Sequence, residues 1–147
     1  MDRHRAYRTI TRGILGEYAD NKAKLSTLPE RIATERARLT AIRSSAAESQ
    51  MTPSGSGNVR QDRDTAIIAE IDRLTATLDE ATREVALIEN CLAQLRKEER
   101  RTLELMDIAP RYQAAEQLAQ EIAVDRSTVY RIHDDALDRF ARLYHGA

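Results

Sequence analysis

The chain of 147 residues carries 23 basic and 24 acidic side chains, for a formal net charge of -1, with five tyrosines, one phenylalanine and no tryptophan. Such a balance argues against a self-repelling disordered chain. So few large apolar residues favour helices paired along a narrow stripe over a wide globular core. The single cysteine, Cys91, excludes an internal disulfide framework. No window approaches the roughly 18 apolar residues of a membrane span, and the basic start "MDRHRAYRTITRG" runs into no apolar core or cleavage site; the expectation is a soluble, cytoplasmic protein.

The first periodic segment places Ile14, Tyr18, Asn21, Leu25, Leu28, Ile32, Glu35, Leu39 and Ile42 at alternating steps of four and three, the a/d seam of a coiled coil. Two of these positions are polar. Asn21 and Glu35 either set the register or face solvent where the pair splays. Gly13 and Gly16 weaken the beginning of this helix. Thr27 and Glu30 form a capping pattern around Pro29, which predicts a kink near Leu28 or a break at Pro29.

Residues 44–60, "SSAAESQMTPSGSGNVR", are polar and rich in Ser and Gly, and predict a flexible connector; no Gly-Lys-Ser/Thr follows the glycines, so it is not a phosphate loop. Next comes a stricter seam: Ile67, Ile71, Leu74, Leu78, Ala81, Val85, Ile88, Leu92 and Leu95. Both seams run for roughly 42 Å at the helical rise. Their equal length predicts an antiparallel coiled-coil hairpin over residues 1–95. Cys91, beside Leu92, reads as a small, partly buried packing residue.

Beyond Leu95, "RKEERR" reads as a solvated helical face from which Arg100 or Arg101 could reach a phosphate. Leu103 and Met106 then begin a new apolar face, and Pro110 limits the helix. A second domain is expected over residues 96–147. In "EQLAQEIAVDRSTVYRIHDDAL" the apolar residues fall in two helical phases separated by "AVD". Leu118, Ala119 and Ile122 share one face, Val124 turns inward, and Val129 and Ile132 line the following helix, the pattern of a helix-turn-helix. Asp125 can cap that helix through the N–H of Ser127 or Thr128. Ala123 stands where many such turns carry glycine. Phe140 and Tyr144 are expected to close the small core against Leu103 and Leu105.

Arg126, Ser127, Tyr130 and Arg131 lie off the apolar face at the helix start, the end that enters the major groove in such motifs. Arg reads guanine and Ser bonds bases or phosphates, so the partner expected is double-stranded DNA. Against this, residues 96–147 hold nine basic and ten acidic side chains, and Asp134, Asp135 and Asp138 further along the helix would repel phosphates they faced. His4, His133 and His145 are scattered, and no set of residues has metal-ligand spacing. His133 with Asp134 and Asp135 reads as a polar helix face. No catalytic residue, metal or cofactor is expected, and the chain does not read as an enzyme.

"AAEQLAQEIAVDRSTVYRIHDDALDRF" resembles the C-terminal DNA-reading domain of bacterial sigma factors. With "LGEYADNKAKL" and "CLAQLRKEERRTLEL", the whole chain resembles small phage-type transcriptional regulators of the ArpU/RinA kind. The resemblance implies an all-α protein, a coiled-coil hairpin followed by a sigma-like helix-turn-helix, that regulates phage or mobile-element genes. It implies Arg126, Ser127, Thr128, Tyr130 and Arg131 as the residues that read DNA from a helix over 126–143. The hairpin would mediate self-association or contact RNA polymerase. The alternatives are a DNA-packaging component similar to a small terminase subunit, and an adaptor that binds protein alone.

Overall fold

A computed structural model describes residues 3–48 and 57–146. The order is α1 (Arg3–Glu48), α2 (Gly57–Ala93), α3 (Lys97–Leu103) running into a π-helical turn (Glu104–Ile108), α4 (Ala114–Glu121) and α5 (Arg126–His145). The protein is all-α, and no strand occurs among the described residues. None of these helices is long and apolar enough to cross a membrane.

Of the two outcomes open at Pro29, a break does not occur: α1 runs through it. Thr27 is not used as a cap, because its hydroxyl donates to the Ala23 carbonyl one turn back at 3.3 Å. The same back-bonding recurs at Thr34, Thr40, Thr65, Thr75, Thr77 and Thr82, so hydroxyls that would compete for the backbone elsewhere are absorbed by the helices themselves. The connector is also shorter than 44–60. Residues 44–48 and 57–60 are helical, and the rest of that stretch lies outside the described residues.

Packing does not divide the chain at residue 95. One compact unit comprises residues 23–82 and the other residues 1–22 with 83–147. In the first, Leu28, Ile32 and Leu74 form a buried cluster flanked by Ile71 and Leu78. Arg31 faces Glu70 at 3.6 Å and Arg43 faces Asp64 at 3.5 Å, so the two strands of the coil run antiparallel. Glu35 is half-buried and pairs with Arg38 of its own helix at 3.1 Å.

In the second unit the start of α1 and the end of α2 also pair antiparallel. Tyr18 donates through Oη to Glu89 Oε1 at 2.7 Å. Burial, then this hydrogen bond, pushes the phenol above its ordinary value. These helix ends pack with α3 to α5 because the apolar stripe of α1 widens there: Thr11 and Leu15, which the seam omits, are fully buried along with Ile88, Leu103 and Phe140. Cys91 is buried too, which raises its thiol pKa. The ring of Phe140 stacks on Tyr144 at 5.8 Å, and the Tyr144 hydroxyl donates to Glu84 of α2.

Candidate nucleic-acid interface

The reversal between α4 and α5 consists of two caps placed back to back. At the end of α4 the N–H of Val124 bonds the carbonyl of Ala119 at 3.0 Å, and Ala123 adopts φ 55°, the left-handed conformation of a Schellman motif. Val124 and Ala119 both pack against the cluster of Leu105, Ala114, Ala115, Leu118 and Val129, which holds the two helices together. Asp125 then begins α5, with Oδ1 accepting from the N–H of Thr128 at 2.9 Å and Oδ2 from the Ser127 hydroxyl at 3.1 Å. The Thr128 hydroxyl also donates to Oδ1. These bonds, led by those of Thr128, hold the Asp125 carboxyl below its ordinary value of 3.8. The start of α4 is built on a second left-handed residue, Gln113 at φ 55°.

α5 extends to His145, two residues beyond the expected 143. Arg126, Ser127, Tyr130 and Arg131 are exposed at its beginning. Thr128 is half-buried, and its hydroxyl donates to the Asp125 carboxylate. Arg126 is already engaged. Its Nη1 lies 3.2 Å from Glu116 Oε1 of α4, its Nη2 donates to the Tyr130 hydroxyl at 3.4 Å, and its guanidinium carbon sits 5.8 Å from the Tyr130 ring centre. Arg111, Tyr112 and Glu116 line a groove of about 450 Å³ together with Arg126 and Tyr130, and Tyr112 is 92% exposed. Sequence reasoning missed these three. "RYQ" directly after Pro110 was a usable signal for the first two, whereas nothing in the local spacing pairs Glu116 with Arg126.

Three expectations about charge are corrected. His133 is buried rather than part of a polar face: its Nε2 is 2.6 Å from Asp107 Oδ2, while Arg12 of α1 donates to Asp107 Oδ1 at 2.8 Å. Two of the three carboxylates along α5 are paired, since Arg8 makes a forked contact to Asp138 at 3.0 and 2.9 Å and lies 3.6 Å from Asp134, while Asp135 is exposed. That hydrogen bond holds the Asp138 carboxyl below its ordinary 3.8. "RKEERR" is not wholly solvated: Glu99 is buried, accepting from the Arg96 N–H and from Arg139 Nη1, both at 3.2 Å. Arg101 is tied to Glu121 at 3.2 Å.

Among the described residues no group of three or more His, Cys, Asp or Glu could hold a metal ion. The arrangement offers hydrogen-bond donors, the exposed phenols of Tyr112 and Tyr130 and a guanidinium paired with Glu116, which is chemistry for binding. No protein-family model, curated protein or solved structure matches the chain.

Proposed function

We propose that this protein is a sequence-specific DNA-binding regulator of transcription, similar to the sigma-like regulators of phage or mobile-element genes. The observation that carries the reading is the tight reversal at Ala123 to Asp125, which leaves the first turns of α5 exposed with Arg126, Ser127, Tyr130 and Arg131. In this reading that end of α5 enters the major groove. An arginine there makes a bidentate contact to guanine O6 and N7, and Ser127 and Tyr130 bond base edges or phosphates. The near-equal charge of residues 96–147 points to few phosphate contacts and hence a shallow salt dependence. Self-association through the α1–α2 hairpin would add a second recognition helix, and two such helices would meet half-sites about 34 Å apart or a multiple of that distance. The hairpin is also the surface offered to RNA polymerase.

The test is selection of bound sequences from random duplex DNA, with the mass of the retained complex measured. A motif should be enriched, and Arg126→Ala and Arg131→Ala should each weaken binding to it by roughly 5- to 150-fold, the range of one good base contact. Enrichment of no motif would refute the reading and favour an adaptor that binds protein alone. That alternative draws support from the charge balance and from Arg126 being paired within the molecule.

A further inference from the structure

We infer that Glu116 is a specificity-determining residue of the recognition surface, holding Arg126 so that it engages guanine edges and is withheld from phosphates. The inference rests on the DNA-binding reading above. It comes from the geometry of three side chains on two elements: Glu116 in the first turn of α4, Arg126 at the first position of α5, and Tyr130 one turn later.

Glu116 takes one arm of the guanidinium at 3.2 Å and the Tyr130 hydroxyl accepts from the other at 3.4 Å, with the ring alongside. A free arginine at the mouth of a recognition helix binds any phosphate within reach, which adds affinity without information. Here a phosphate approaching Arg126 must also approach the Glu116 carboxylate, and the like charges repel. Guanine presents uncharged acceptors, O6 and N7, whose partial charges the carboxylate repels far less than a phosphate's full charge. Glu116 therefore taxes the unspecific contact more heavily than the specific one. The pair is open to solvent, with side chains 64% and 42% exposed, so it adds little to folding stability.

The experiment compares wild type, Glu116→Gln, Arg126→Ala and the double variant on two duplexes, one carrying the selected motif and one with the same bases scrambled, across a range of salt. Circular dichroism melting confirms that each variant is folded. Glu116→Gln should bind the scrambled duplex more tightly and lower the ratio of specific to unspecific affinity by about fivefold or more, the small end of one base contact. Its salt slope on the scrambled duplex should steepen by about 0.9, the value of one added phosphate contact. In the Arg126→Ala background the same change should have no effect on the ratio, because the residue through which Glu116 acts is gone. A wild type that prefers its motif, with the ratio and slope unchanged in Glu116→Gln, would overturn the role of Glu116 and leave the DNA-binding reading standing. A wild type without preference between the duplexes would overturn both.

Discussion

Ala123 supplies the sharpest physical test of the turn on which the interface depends. It is an exposed alanine at φ 55°. The left-handed conformation brings Cβ against the following carbonyl and costs an L-residue about 1–2 kcal/mol. Glycine removes that strain but loses more freedom on folding, which offsets about 0.4–1 kcal/mol. Ala123→Gly should therefore stabilise the protein by about 0.5–1 kcal/mol, a rise in Tm of about 1–4 °C for a chain of this size. Gln113, also at φ 55°, follows the same argument at the other end of α4. The two positions lie about 15 Å apart along that helix and share no partner, so the double variant should show the sum. Ala123→Val should melt below wild type, because a β-branched residue is strained in this conformation. Thermal melts and urea titrations followed by circular dichroism give these values. Ala123→Gly melting at or below wild type, with unchanged helix content, would refute the reasoning, as would an Ala123→Val as stable as wild type.

Two further outcomes follow from groups whose titration the fold displaces. Arg8 lowers the pKa of Asp138, so this carboxylate stabilises the fold above its ordinary 3.8, and the contribution is lost as pH falls through the lowered folded-state value. Asp138→Asn should be less stable than wild type near neutrality, with the gap closing at the acid end; a gap constant across the whole titration would contradict the pairing. Tyr144 is displaced the other way, pushed up to about 12 by burial and then by its hydrogen bond to Glu84. The stability tied to its neutral form is complete below 10.0 and is lost as pH rises toward 12. Phenolate absorbance, free of tryptophan in this chain, should show a last transition toward 12 that Tyr144→Phe removes, with Tyr18 also rising after the ordinary 10.0. All five tyrosines ionising together near 10.0 would contradict it.

Much of the fold was legible because it is written in local periods and caps. Every residue of the second seam is buried or half-buried, from Ile67 to Leu92 along α2 and at Leu95 just past its end, since a stripe repeating every 3.5 residues has only one face to hide. Asp125 announced the reversal because a cap acts within three positions of itself, whereas Ala123, an alanine where such turns carry glycine, gave no sign of the left-handed conformation it adopts. Pro29 left the continuity of the first helix open for the opposite reason. A local helix-breaking signal was overridden in a helix whose flanking Leu28 and Ile32 are buried against α2.

What only the tertiary structure decided is the set of charges that residues distant in sequence impose on one another. Arg12 reaches Asp107 across 95 positions, Asp107 in turn meets the buried His133, and Arg8 reaches Asp138 across 130. Glu116 meets Arg126 for the same reason: two helices folded back through a turn bring together side chains that no helical period relates. Apolar pattern and capping depend on neighbours along the chain, so the sequence alone determined the helices, their seams and the turn. Ion pairs depend on approach within about 4 Å, which is set only once the helices have packed.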